Sequence, residues 1–199
     1  MTQSPQQPIR LGPLSGELVL GIAQDLEDIT DRIAEMKVLC DQQMGELADA
    51  AAAAAGITET LARRQMPVAA DADFAELKAE LSDLYETVAA QAGIYKSISR
   101  QFLEIARQVG AEIKALHGTG AAPAEGTAPP AGENVVSLSV RREARDHALA
   151  QAAANELRLA LHAMQESAVA LFRAQAESLK MVVSLRQRMR DYRQRTRGL

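Results

Sequence analysis

Three histidines, one cysteine and a crowd of arginines are the side chains here with the most chemical reach. His117, His147 and His162 stand far apart, with no cysteine pair and no second histidine one helical turn away, so the ligand spacing zinc requires is absent. No metal and no cofactor is expected. The glycines fall singly or in one Pro/Gly/Ala stretch, which provides no loop to cradle a phosphate. Cys40 has no second cysteine to pair with. It falls on an apolar helical seam with no basic residue on that face to activate it, so a small buried side chain is expected there rather than a nucleophile.

The arginines are unevenly placed. Arg186, Arg188, Arg190, Arg193, Arg195 and Arg197 lie within the last fourteen residues against a single acid, Asp191. Such a cluster can hold polyanion phosphates, an acidic membrane or an acidic protein surface. The whole chain carries 22 Lys/Arg against 26 Asp/Glu, and among these arginines only Tyr192 offers a stacking surface. Nucleic acid and membrane therefore rank below an acidic protein partner or the chain's own acidic part. Residues 1–134 hold ten basic against twenty acidic side chains and residues 135–199 hold twelve against six, so the two parts should attract.

The elements that must position these groups are helices. Of 199 residues, 47% are apolar but only 3% aromatic, and Ala and Leu fill the apolar positions, which disfavours sheet sandwiches and barrels. No charge-free run exceeds ten residues, so neither a membrane span nor a signal-peptide core is expected, and the cytoplasm is the expected location. All seven prolines lie outside the periodic segments. They divide the chain into a flexible arm (residues 1–14), a helical hairpin (15–117), a disordered linker (118–134) and a long C-terminal helix with an Arg-rich end (135–199). Helices are predicted over residues 15–65, 73–117 and roughly 137–195.

The first two follow unbroken apolar heptads. Ile22, Leu26, Ile29, Ile33, Met36, Cys40, Gln43, Leu47 and Ala50 begin the first seam, and Phe74, Leu77, Leu81, Leu84, Val88, Gln91, Tyr95 and Ile98 the second. Repeats sustained for six heptads signal coiled-coil packing, and a short connection makes the pair antiparallel. Pairing residues whose numbers sum to 138 places Leu61 on Leu77, Ile57 on Leu81 and Gln43 on Tyr95. Gln43, Gln91 and Tyr95 make the middle layers polar, with Gly45 and Gly93 at the same height, so this stretch is expected to be a hinge or a register lock. The third helix carries a stripe that includes Gln175, Ser178, Val182, Leu185, Met189 and Tyr192. Of the two flanks of the hairpin, the one with Met44, Tyr85 and Ile113 is poorer in charge than the one with Asp25, Arg32, Glu46 and Glu80. Docking on the poorer flank would strand fewer ions.

Residues 23–33, AQDLEDITDRI, resemble the catalytic-helix motif of CheZ-type chemotaxis phosphatases, A-Q-D-x-x-D-[LI]-T-G-Q-x-I. The resemblance implies a dimerising helical hairpin that acts on a phosphorylated response regulator, with Asp28 on the motif's second Asp and Thr30 on its Thr. Arg32 stands where that family has Gln, and a guanidinium only donates hydrogen bonds, so it cannot accept one from a water. The long hairpin with polar layers also resembles chemoreceptor signalling rods. The expectation is an all-α protein, a long antiparallel coiled-coil hairpin plus a third long helix, forming a homodimer. Its expected role is that of a non-enzymatic adaptor, scaffold or regulator binding other proteins in bacterial signalling, chemotaxis or motility. The alternatives are a phosphatase acting through Asp28 and polyanion binding through the C-terminal arginines.

Overall fold

A computed structural model of the chain describes residues 16–65, 71–118 and 133–197. Three helices account for the regular structure there: α1 (Gly16–Arg63), α2 (Ala72–Gly118) and α3 (Glu133–Arg197). The expected all-α bundle is what forms. The helix ends differ from expectation by one to four residues, most at the linker, where Gly118 closes α2 and Glu133 and Asn134 open α3, all inside the stretch read as linker. The prolines at 129 and 130 stop short of that start, and a glutamate in the first turn suits the helix dipole. The arm and the remainder of the linker lie outside the described residues.

The turn between α1 and α2 is built by its end residues. Gln65 adopts a left-handed φ of 55°, and its N–H bonds back to the Ala62 carbonyl at 3.0 Å, closing the last turn of α1. Asp71 then caps α2. Its Oδ1 accepts the Phe74 N–H at 3.1 Å, and its own carbonyl accepts the Ala75 N–H at 3.0 Å.

The chain divides into two compact units, one of Met1–Ile29 with Arg100–Gln165 and one of Thr30–Ser99 with Glu166–Leu199. Each takes part of all three helices. In the first, Ile22, Ile29, Phe102, Val109, Ala154, Leu157 and Leu161 are buried. In the second, one apolar cluster joins Leu47, Ala50, Ile57 and Leu61 of α1, Phe74, Leu84 and Val88 of α2, and Val182, Leu185, Met189 and Tyr192 of α3. These are the heptad positions, so the periodic pattern did pick out the core. Within the second unit α3 runs parallel to α1, since Arg186 meets Glu46 and Arg190 meets Asp49, and antiparallel to α2, since Ser178 meets Gln91 and Arg188 meets Glu80.

In neither unit does α3 dock where the charge argument places it. In the first unit Arg158 lies 3.7 Å from Asp25. In the second, Arg186 pairs with Glu46 at 2.6 Å, Arg188 with Glu80 at 2.5 Å, and the Arg32 guanidinium sits 5.3 Å from the centre of the Phe172 ring. All four charges of the richer flank are thus engaged by α3, while Met44 stays 45% and Tyr85 58% exposed. The side chain of Ile113 lies outside the described residues. The expectation failed because it counted the ions on the hairpin without the countercharges α3 brings to them.

One end of the second unit is clasped by Tyr192. Its ring stacks on Phe74, centroids 5.7 Å apart and planes at 22°, and its hydroxyl donates to Asp71 Oδ2. Arg195 covers the ring at 5.7 Å. Burial first, and then the bond to the Asp71 carboxylate, push the phenol up to about 12. The folded chain thus favours the neutral phenol, whose unfolded value is about 10. The resulting stabilisation is complete below about pH 10 and is lost as the pH rises through about 12. Tyr192→Phe should cost about 1–3 kcal/mol near neutrality, because Asp71 loses a donor. The gap between wild type and Tyr192→Phe in urea melts should hold steady up to about pH 10 and shrink above it; a gap that widens there would contradict the clasp.

Candidate functional site

Polar groups converge most closely in the interior of the second unit, where each helix interrupts its own seam with a hydrogen-bonding residue. Gln43 of α1 and Gln91 of α2 are joined by Gln175 and Ser178 of α3, and all four are buried. The Gln43 Nε2 donates to Gln91 Oε1 at 3.1 Å, to the Gln175 carbonyl at 2.8 Å and to Ser178 Oγ at 2.5 Å. An amide nitrogen has two hydrogens, so these three acceptors share them. Ser178 Oγ donates to Gln91 Oε1 at 2.9 Å, and Gln91 Nε2 donates to the Ala174 carbonyl at 3.2 Å. Gln43 therefore serves as the hub of a layer that spans all three helices.

The hydrogen bond between Gln43 and Gln91 also corrects the expected register. Helical side chains lean toward their own N-terminus. With residue numbers summing to 138, Gln43 would face Tyr95 and would lean away from Gln91. The observed partner is Gln91, four residues earlier, and Tyr95 is half-buried beside the layer with no bond to Gln43. Gly45 and Gly93 lie on exposed faces, and a methyl group added at either would meet nothing within 4 Å. Both glycines weaken their helices without enabling any contact, so Gly45→Ala and Gly93→Ala should each raise stability by about 1 kcal/mol in thermal or urea melts.

The C-terminal arginines are largely spent inside the chain. Arg186 is held by Glu46 and, at 3.7 Å, Asp49; Arg188 by Glu80; Arg190 by Asp49 at 3.5 Å. Arg193 lies flat on Gly56, where a Cβ would come within 3.0 Å of the guanidinium carbon. Arg195 covers the Tyr192 ring. Arg197 is the last residue of α3, and its side chain lies outside the described residues. The sequence expectation that the chain's acidic and basic parts attract one another is thus met at named pairs. As a docking surface for an outside protein, this end has far fewer free cations than its composition suggests.

Asp28, in the first unit, is exposed and accepts a hydrogen bond from Gln24 Nε2 at 3.2 Å. Arg32, in the second, is half-buried; besides the Phe172 ring it holds Glu35 at 2.8 Å. Cys40 is a free thiol on the seam, half-buried. Among the described residues no group of three His, Cys, Asp or Glu side chains is placed to hold a metal ion, and no helix is long and apolar enough to cross a membrane.

The Tyr192 clasp was missed in the sequence, although Asp71 standing before a helix and three residues ahead of Phe74 is a cap signature. Gln175 and Ser178 were visible as breaks in the third stripe. What periodicity could not supply was the axial offset of α3, without which they could not be matched to Gln43 and Gln91.

Comparison with known proteins finds no family model, no curated protein and no solved structure that matches this chain.

The polar layer makes a prediction of opposite signs. Gln175 is fully buried, yet neither atom of its amide finds a partner among the described residues. Replacing it with the near-isosteric, apolar Met should therefore stabilise the chain by about 1–3 kcal/mol. Gln43→Met removes the hub donor and leaves Gln91 and Ser178 short of a partner, so it should destabilise by a similar amount. Urea melts of the two variants that moved in the same direction would refute this account.

Proposed function

We propose that this chain is a non-enzymatic helical-bundle adaptor, scaffold or regulator that works by binding other proteins. The observation that carries the reading is how the polar side chains are used: arginines, glutamates and the Gln43 and Gln91 amides of the second unit are committed to holding three helices together. Long apolar and small side chains on another flank of the same unit are left open to solvent. A cytoplasmic location, a homodimeric state, coiled-coil packing along the seams and a setting in bacterial signalling, chemotaxis or motility belong to the same reading. Its ground for the setting is the resemblance of residues 23–33.

The test sets binding against catalysis. The full chain is added to a response regulator phosphorylated on its aspartate with a small phosphodonor, and loss of the phosphoryl group is followed in time. No acceleration is expected. An acceleration abolished by Asp28→Ala would replace the adaptor reading with the phosphatase one. Sedimentation of the full chain reads the dimer directly, and a monomer at all concentrations would remove that part.

A further inference from the structure

Because α3 covers the charged flank of the second unit, the other flank of its α1 and α2 segments is bare. Met44, Ala48 and Ala51 on α1 and Leu81 and Tyr85 on α2 line an open groove of about 370 Å³. Its alanines leave room for a helix axis to come close, and Met44 and Tyr85 supply flexible and aromatic anchors. Lys78 is the charged residue that lines it, and Lys96 lies farther along α2 beyond the groove. Lys78 lies seven residues before Tyr85 and Lys96 eleven after it, offsets that return to the same face of an α-helix within about 20°. Both lysines are exposed, and neither has an ion-pair partner among the described residues. On the α1 side Lys37 is already neutralised by Asp41 at 2.7 Å.

We propose that this flank is the docking groove for an acidic amphipathic helix of another protein. The visiting helix lays its apolar face over Met44, Ala51, Leu81 and Tyr85 and sets carboxylates against Lys78 and Lys96. These stand 18 residues apart in the sequence, about 27 Å along the helix axis. This is a helix-in-groove mode, with apolar burial supplying affinity and the two lysines supplying selection and orientation. A second copy is the wrong occupant, since its matching flank would bring free lysines against free lysines. The inference rests on the proposal that the chain works by binding proteins, and it names the surface and the partner's chemistry.

Two synthetic helical peptides of about 20 residues, enough to span that distance, test it, each with one Leu/Ala face, one rimmed with glutamates and the other with lysines. Binding to the full chain is read by fluorescence anisotropy. The glutamate peptide should bind at least tenfold more tightly than the lysine peptide, and Tyr85→Ala should weaken it by about tenfold. Lys78→Glu with Lys96→Glu should reverse the preference. These are exposed positions, and circular dichroism checks that the variants stay helical. Equal affinity for the two peptides, no binding by either, or indifference to these substitutions overturns the proposal. So does a dimer that Tyr85→Ala dissociates, which assigns the groove to a second copy, or binding to phosphatidylserine vesicles lost in the same variants, which assigns it to lipid. If the peptides fail while a photoreactive group elsewhere on the surface still joins the chain to a protein in its native cell, this groove is wrong and the adaptor reading stands.

Discussion

A guanidinium brought against a helical interface stays there only if a carboxylate or a ring face meets it, because desolvating an unpaired cation costs several kcal/mol. In the second unit α3 presents Arg186, Arg188 and Arg190 along one helix, and only one flank of the hairpin can receive them. Glu46, Asp49 and Glu80 lie there. Leaving Met44 and Tyr85 half exposed forfeits about 1–2 kcal/mol each. Stranding even one of the arginines would cost more, so the charged flank is covered and the apolar one left open. Arg186 and Glu46, about four-fifths buried, carry the most weight in this choice; the more exposed pairs of Arg188 and Arg190 contribute less apiece.

Charge selects the flank but does not fix the axial position of α3, because a heptad seam looks nearly the same after a slide of one repeat. Two features remove that freedom. The Gln43 hub requires Gln91 and Ser178 at its own level, and a slide would bury those amides against Leu or Val. Tyr192 must reach the cap of α2, where Asp71 uses one carboxylate oxygen on the helix and the other on the phenol. A polar layer in an apolar seam lowers stability while making competing alignments worse. The idle amide of Gln175 shows that cost directly, since it is buried and bonded to nothing described.

How much of this was legible in the sequence follows from which physical term decides each feature. Three helices and their buried stripes follow from spacing alone, because burial recurs with the turn of the helix; Ile29, Met36, Ile57, Phe74, Leu161 and Leu185 all lie where the heptads put them. The register between α1 and α2 was misjudged because the loop and the seams fit more than one alignment, and only the bond between Gln43 and Gln91 chooses among them. The flank occupied by α3 was misjudged for a different reason. Taken as ions on a hairpin alone, Asp25, Arg32, Glu46 and Glu80 argue for leaving their flank open, whereas their cost depends on partners more than a hundred residues away in the chain. The arginine cluster was correctly matched to the chain's own acidic part, yet composition could not say which arginine meets which acid.

Function depends on the side chains that the packing leaves unspent. A polar side chain that holds a helix in place cannot readily serve a substrate as well, since moving it would break the pair it makes. That constraint applies to Arg186 and Arg188, and to Arg32, whose guanidinium is shared between Glu35 and the Phe172 ring. Asp28, hydrogen-bonded to Gln24 one turn away on the same helix, is under no such constraint. Lys78 is equally free, but it differs from Asp28 in lining a groove with Met44 and Tyr85 already exposed. Lys78 therefore stands where an apolar surface and a free charge adjoin, which Asp28 does not. The open flank follows from the same ion pairs that seat α3, so a binding surface there needs no feature beyond those that hold the bundle together.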